Sequence, residues 1–356
     1  MANRREFLKT VATTMAGMIV IGRPQAAPAK RREVFIGNRR IKTVDVHGHF
    51  VIPEELDLIK GTNLAGNIAN NLRNGLVLGP ERIEFIDKQG IDVQVLSHQG
   101  AWWYGTDRDL AARLVKVQNE KLAAWCKAHP DRFVGLASVA LQHPDLAAAQ
   151  LDEAVKKMDL RGVGISGHAA GEVPSSPKYD PFWAKVQELG VLVFTHPAGA
   201  DNVLREGALN GRGDLGNIIG NPLETTVFLS RMILDGTLDR FPGVKICGAH
   251  AGGFLPSYLG RTDVTCDVRD NANCANKKHP REYFKQQILV DSMIFSEEGL
   301  RHLVAEMGVG QIVYGTDTPY NWPATVDLIL KATFLKDAEK EAILGGNLIK
   351  LLRITS

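Results

Sequence analysis

The stretch from Ile41 to His49, which reads IKTVDVHGH, is the most informative part of this 356-residue chain. It begins as a short apolar segment of the kind found in buried strands and ends in two histidines separated by one glycine. Because side chains two apart in an extended segment point the same way, His47 and His49 can face one metal ion. Two strand-end histidines that only form hydrogen bonds are the alternative reading of this pair in isolation.

Seven further apolar, β-branched segments follow, and helical stretches separate them. Leu110, Leu114 and Val117, for example, recur at the spacing of an amphipathic helix. Eight strands that alternate with helices predict the α/β class and, more specifically, a (β/α)₈ TIM barrel. The predicted strands span residues 41–46, 93–97, 133–139, 163–166, 191–195, 244–249, 288–291 and 312–315.

Polar groups stand at the ends of several predicted strands. His196 follows the apolar run Val191–Thr195, His250 follows Ala249, and Asp317 follows Thr316. The carboxyl ends of barrel strands share one face, which is where active sites of this fold are built. Two long connections, residues 51–78 and 198–221, lie at the same face and are expected to be functional or mobile.

Three imidazoles and one carboxylate offer the nitrogen and oxygen ligands that suit a divalent first-row metal. We expect one such ion, Zn²⁺ first and Mn²⁺ as the alternative, with no organic cofactor. Asp45 or Asp291 could orient a ligand imidazole, although either carboxylate could equally serve structure at a strand end.

Composition excludes some classes of partner. The chain has 42 basic and 40 acidic residues, a net charge of +2, and 44% hydrophobic residues. This balance is that of an ordinary globular protein and gives no reason to expect nucleic acid as a partner. The four cysteines lack metal-binding spacing, and an oxidising compartment could join Cys266 to Cys274 or leave both free.

The first thirty residues have the layout of a secretory signal. Arg4-Arg5 precede the uncharged run Val11–Ile21, and Ala27-Pro28-Ala29 offers a cleavage site. The arginine pair is similar to the twin-arginine export motif. We therefore expect residues 1–29 to be a signal peptide read by the twin-arginine export machinery, residues 30–356 to form one barrel domain, and the mature protein to be periplasmic. A membrane anchor is the alternative, but the run spans only ~16 Å as a helix against a ~30 Å hydrocarbon core.

Nearly the whole mature chain resembles amidohydrolase-superfamily barrels of the aminocarboxymuconate-semialdehyde decarboxylase type, often called amidohydrolase 2. The resemblance is carried by an ordered set of segments. They are DVHGH at 45–49, LGVLVFTHP at 189–197, DRFPGVK at 239–245, GAHAGG at 248–253, Pro256, Gly260-Arg261 and YGTDTP at 314–319.

The resemblance implies that His47, His49, His196 and Asp317 bind the metal, with His250 beside it as general acid/base. It implies that Arg261 pairs with a substrate carboxylate, for which its planar fork is suited, although a salt bridge is the alternative. A second arginine found in some members aligns only loosely with Arg73. A homodimer also fits the family. Further residues that could contact substrate, or simply pack loops, are His98, His168, Trp102, Trp103, Tyr104 and Trp322.

Three functions follow from these residues. The first is non-oxidative decarboxylation of an aromatic or unsaturated carboxylic acid, in which His250 and Asp317 manage the proton that replaces the carboxylate. The second keeps the site but hydrolyses a lactone, amide or ester, or hydrates its substrate. The third is an exported binding protein that holds metal and ligand without turnover.

Overall fold

Eight parallel strands form a barrel in the computed structural model, which describes residues 31–73, 75–98, 102–323 and 325–355. A two-stranded hairpin, β1 and β2, precedes the barrel and was not predicted. The strands are β1 Phe35–Ile36, β2 Arg39–Arg40, β3 Val44–Phe50, β4 Val93–His98, β5 Phe133–Gly135, β6 Gly162–Ile165, β7 Leu192–Thr195, β8 Lys245–Gly248, β9 Ile288–Asp291 and β10 Ile312–Val313.

The barrel closes at two seams between a three-stranded sheet, β3-β4-β5, and a five-stranded sheet, β6 to β10. At the first seam, the Ala137 amide donates to the carbonyl of Gly162 over 2.8 Å. At the second, the Val46 amide donates to the carbonyl of Tyr314 over 2.9 Å. The predicted (β/α)₈ barrel is therefore confirmed. The strand predicted for residues 133–139 is shorter in the structure, where β5 ends at Gly135. Beyond it, the chain pairs with the neighbouring strand only through an isolated bridge at Ala137.

Helices surround the strands, and several begin or end at recognisable signals. Pro80 and Pro144 occupy first-turn positions, and Gly90 and Gly190 end their helices in the left-handed conformation. The α-helices are α1 Glu55–Ile59, α2 Leu64–Arg73, α3 Pro80–Gln89, α4 Arg108–Ala128, α5 Pro144–Met158, α6 Asp180–Leu189, α7 Asn221–Leu234, α8 Thr237–Arg240, α9 Leu259–Val268, α10 Pro280–Gln286, α11 Glu297–Met307, α12 Thr325–Lys331, α13 Asp337–Glu341 and α14 Asn347–Leu351.

The apolar side chains form an inner and an outer core. The inner core fills the barrel with residues such as Val46, Val95 and Phe194, all fully buried. The outer core lies between strands and helices and includes Ile165 and Phe228. Strands buried on both faces explain why they read in sequence as continuous apolar runs.

The two long connections carry local structure of their own. The first contains α1 and α2, and the second includes a short π-helix at Gly216–Gly220. In the part of the chain that the structure describes, no helix combines the length and apolar character needed to cross a membrane. The predicted signal peptide, residues 1–29, lies outside the described residues.

A disulfide joins Cys266 on α9 to Cys274 in the following loop, with the two Cα atoms 5.9 Å apart. The other two cysteines, Cys126 and Cys247, are free. The pairing closes a short loop, since only eight positions separate the two cysteines. Closing a loop of this size restricts the unfolded chain and stabilises the protein by about 2.5 kcal/mol on the chain-entropy model.

We expect protein folded under oxidising conditions to show two reactive thiols per unfolded chain, rising to four after reduction. The Cys266→Ser/Cys274→Ser double variant should lose about 2.5 kcal/mol of unfolding free energy in denaturant titrations. Cys126→Ser is the control, because it should lower the thiol count by one and leave the reducible pair intact. Four reactive thiols before reduction would contradict the disulfide.

Candidate metal centre

Four histidines and one aspartate converge at the carboxyl end of the barrel. The ring centroids of His47 and His49, at the end of β3, are 4.8 Å apart. The ring of His196, just after β7, lies 4.5 Å from that of His49 and 5.1 Å from that of His250, which follows β8. The structure therefore brings together every imidazole that the sequence placed at these strand ends.

Asp317 lies at the centre of this group. Its Oδ1 atom is 3.0 Å from His49 Nε2 and 3.2 Å from His47 Nε2, and its Oδ2 atom is 3.7 Å from His250 Nε2. Trp322 donates its indole N–H to Oδ2 over 3.1 Å. Asp317 itself has a positive φ of 58°, and His250 has one of 54°. Positive φ is uncommon for residues other than glycine and clusters at functional sites.

The charges of the cluster explain its pKa shifts. Burial alone lowers the pKa of His47, but the carboxylates of Asp317 and Asp291 outweigh it and raise the pKa to about 10. Burial also lowers the pKa of His49, to about 4, and that of His196 well below its usual value. His49 and His196 are therefore neutral near pH 7, the form that binds a metal.

Asp291, the last residue of β9, orients two of the histidines. It accepts a hydrogen bond from His47 Nδ1 over 2.6 Å, which turns Nε2 of that ring toward Asp317. It also accepts the backbone N–H groups of His250 and Ala251, over 3.1 and 2.8 Å. Carboxylates that hold a ligand imidazole in this way fix its tautomer and direction. Of the two candidates from sequence, Asp291 is thus the one that touches a ring.

Asp45 acts on the backbone of the same strand end. Its carboxylate accepts the His47 N–H over 3.0 Å, the Gln94 side-chain N–H over 2.8 Å and the Thr316 hydroxyl over 2.6 Å. Gly48 is needed between the histidines, because a Cβ there would lie 2.6 Å from Gln94. Asp45 therefore joins β3 to the segment that follows β10.

Arg82 on α3 is a site residue that the sequence did not reveal. It is 4% exposed and donates to the carbonyl of His49 over 2.7 Å and to Gln94 Oε1 over 3.2 Å. Burial lowers the pKa of its guanidinium to about 10. A single arginine in an amphipathic helix is normally solvated, so no pattern singled it out.

The donor set fits a divalent ion. The hydrogen bond from Nδ1 to Asp291 directs the buried Nε2 atom of His47 at Asp317 Oδ1, 3.2 Å away, so the nitrogen and the oxygen are both placed to bind one ion. The buried carboxylates of Asp291 and Asp317 lie on the two sides of the His47 ring and favour a positive charge between them. Imidazole nitrogens and a carboxylate oxygen are ligands that bind such a cation. Ligand atoms of His47, His196, His250 and Asp317 all lie within 4.8 Å of one another. This group shares three members with the predicted ligand set and has His250 in place of His49.

A cavity of about 260 Å³ is lined by Trp102, Tyr104 and His168, together with Asn67, Gly105, Ala170 and Ala198. Trp102 stacks on Tyr104 with ring centroids 5.4 Å apart. Ala198 is two residues beyond His196 in the chain. Trp102 and His168, both predicted to contact substrate, therefore share one cavity.

Other predicted substrate contacts have different surroundings. His98 is buried against Glu55 of α1, with Nε2 2.7 Å from Oε1, and is not among the described residues that line the cavity. Trp103 is buried and donates to the carbonyl of Val139, so it packs the loop. Arg261 is exposed on α9 and forms no ion pair with the described residues. The side chain of Arg73 lies outside the described part.

We expect His49→Ala and His250→Ala to separate the two ligand sets. If His49 binds the ion, as predicted, purified His49→Ala should lose most of its metal in elemental analysis, whereas His250→Ala should keep it. His302→Ala, which changes an exposed histidine on α11, is the control and should match the parent protein. The reverse result would assign His250 as the ligand.

The amidohydrolase family model matches residues 44–354. The 2-amino-3-carboxymuconate-6-semialdehyde decarboxylase of Dictyostelium discoideum is 31% identical over 76% of this chain and 75% of its own length. The gamma-resorcylate decarboxylase of Rhodococcus jostii is 30% identical over 76% of this chain and 86% of its own length.

A solved decarboxylase structure also has the same fold as this chain. The dihydroxybenzoic acid decarboxylase of Polaromonas sp. JS666, with bound manganese and the inhibitor 2-nitroresorcinol, superposes with a TM-score of 0.77. It is 25% identical, and the match covers 88% of this chain and 97% of that one. Since the family model spans most of the chain, including every residue of the histidine cluster, the chain belongs to the amidohydrolase family.

Proposed function

We propose that this chain is a metal-dependent, non-oxidative decarboxylase of an aromatic or unsaturated carboxylic acid. The observation that carries the proposal is the cluster of four imidazoles around Asp317, in a chain whose relatives are decarboxylases of such acids. No organic cofactor is required in this reaction. Hydrolysis and hydration remain the rival reactions for the same residues.

One divalent ion would be held by His47, His196 and Asp317, with His49 as the fourth ligand. The donor set favours Zn²⁺, and Mn²⁺, which a related structure contains, is the alternative. When bound, such an ion neutralises the charge of a substrate carboxylate and of an adjacent oxygen.

His250 and Asp317 provide the proton that the reaction consumes. In decarboxylation the bond between the ring carbon and the carboxylate carbon breaks, and carbon dioxide leaves. The electron pair stays on the ring carbon, which takes up a proton in exchange. His250 Nε2 is 3.7 Å from Asp317 Oδ2, which places the imidazole beside the carboxylate as the candidate proton donor to that carbon.

The cavity lined by Trp102, Tyr104 and His168 suits a small ring. At about 260 Å³ it lies just below the ~300–1,000 Å³ typical of pockets for drug-sized ligands. Trp102 offers an apolar surface for an aromatic ring, and His168 a polar group for a ring substituent. Arg261 as the partner of the substrate carboxylate stays a prediction, as does the homodimer.

We expect the mature protein, loaded separately with Zn²⁺ and Mn²⁺, to release carbon dioxide from members of a hydroxybenzoate panel. Mass spectrometry should show a product smaller by one carbon dioxide. His250→Asn should lower kcat at least a hundredfold, in the range of lost general acid/base catalysis, with its metal retained. His302→Asn is the matched control. Products that have gained water instead would assign the chain as a hydrolase or hydratase.

We also propose that the chain is exported to the periplasm by the twin-arginine machinery. The support is the arginine pair Arg4-Arg5, followed by an uncharged apolar run and a small-residue cleavage site. Export of a folded protein suits an enzyme that takes up its metal in the cytoplasm, where metal supply is controlled.

We expect Arg4→Lys/Arg5→Lys to keep the protein in the cytoplasm with its leader uncleaved, because the machinery reads the arginine pair. Cell fractionation and the N-terminal sequence of the recovered protein measure this. Lys30→Arg, which changes a basic residue outside the motif, is the control and should be exported normally. Normal export of the double lysine variant would argue against twin-arginine export.

A further inference from the structure

The first turns of α7 contact three of the loops that carry the histidines. These are the loop after β6, which holds His168, the loop after β7, which holds His196, and the loop after β8, which holds His250. Active-site loops of a barrel need such support, because their positions set the geometry of the reacting groups.

Glu224 on α7 joins the first two of these loops. One carboxylate oxygen accepts the Gly167 N–H over 2.9 Å, and the other accepts the Gly199 N–H over 2.6 Å. Gly167 precedes His168 directly, and Gly199 is three residues beyond His196. His168 Nε2 is also 4.0 Å from the same carboxylate. Glu224 is thus bonded to backbone groups next to His168 and Ala198, two residues that line the cavity.

Thr226, on the same helix, supports the third loop. Its hydroxyl accepts the Phe254 N–H over 2.7 Å and donates to the carbonyl of Pro222 over 2.7 Å. Gly253 has a φ of +68°, and a Cβ there would lie 2.2 Å from the Pro222 carbonyl oxygen. The loop that carries His250 is therefore in direct backbone contact with α7.

A carboxylate is a costly choice for this position. Glu224 is 1% exposed, and no lysine or arginine forms an ion pair with it among the described residues. Burial raises its pKa to about 8, and the nearby charge of Asp201 adds to the effect. An apolar residue could fill the space but could not accept two backbone N–H groups at once.

We propose that Glu224 is a positioning residue for catalysis. Its two carboxylate oxygens hold the loop of His168 and the loop of His196 in fixed positions relative to each other. Where turnover is concerned, this inference rests on the proposed decarboxylase function. Thr226 extends the same support to the His250 loop. Glu224 acts through the backbone beside the two rings, at Gly167 and Gly199.

Two substitutions of Glu224 remove one or both of the side-chain oxygen atoms that accept hydrogen bonds. Glu224→Gln keeps the shape and one acceptor oxygen, and Glu224→Ala removes both. Glu188→Gln, an exposed carboxylate on α6, is the control for the loss of charge. Hydrogen–deuterium exchange should be faster for the segments 166–172 and 198–204 in both Glu224 variants and unchanged in the control. Thr226→Val should instead speed exchange in 250–256.

With turnover measured well below the melting temperature, kcat/KM should fall about tenfold in Glu224→Gln and about a hundredfold in Glu224→Ala, the range seen when outer partners of metal ligands are lost. Unchanged exchange in both segments, or a loss of activity that only follows the unfolded fraction, would overturn the proposal. The exchange measurement needs no substrate, so it tests Glu224 even if the parent protein proves not to be a decarboxylase. Should Glu224→Ala fail to fold, the isosteric glutamine variant still decides.

Discussion

Two carboxylates share one buried imidazole in this protein, and the rest of the site depends on that arrangement. Asp291 and Asp317 lie on opposite nitrogens of His47, and all three side chains are almost completely removed from water. Two negative charges buried together require a compensating positive charge, which protonated His47 supplies without an ion and a bound cation would supply in its place. Around that requirement the barrel supplies imidazoles from β3, from the end of β7 and from the end of β8. The demand for positive charge is what makes a metal centre the natural use of this end of the barrel.

The sequence predicted the barrel because parallel strands covered on both faces must be apolar along their whole length. It also predicted which residues would meet, since His47, His49, His196, His250 and Asp317 all directly follow or end such runs. His98 shows where that reasoning needs refinement. The alternation that places Val93 and Val95 in the inner core also places Ser97 inward, which leaves His98 facing the helices and Glu55.

Arg82 and Glu224 could not be found from sequence, because a charged residue in an amphipathic helix is usually solvated. Only the packing of α3 and α7 against the strand ends shows that both are buried and bonded to backbone groups beside the histidines. Arg82 holds the carbonyl of His49, and Glu224 holds the amides of Gly167 and Gly199. The histidines are thus visible in the sequence, whereas the groups that keep their loops in place are visible only in three dimensions.

The second seam of the barrel has a consequence for how the protein is made. The His49 amide donates to the carbonyl of Thr318, and the Thr318 amide donates to the carbonyl of His47. His49 and Asp317, whose side chains face each other beside this seam, are 268 positions apart in the chain. A ribosome has synthesised almost the whole chain before Asp317 emerges, so a nascent chain holds an incomplete set of ligands. Contacts of such separation are costly in loop entropy and slow to form, so the complete set of candidate ligands exists only once nearly the whole chain has folded.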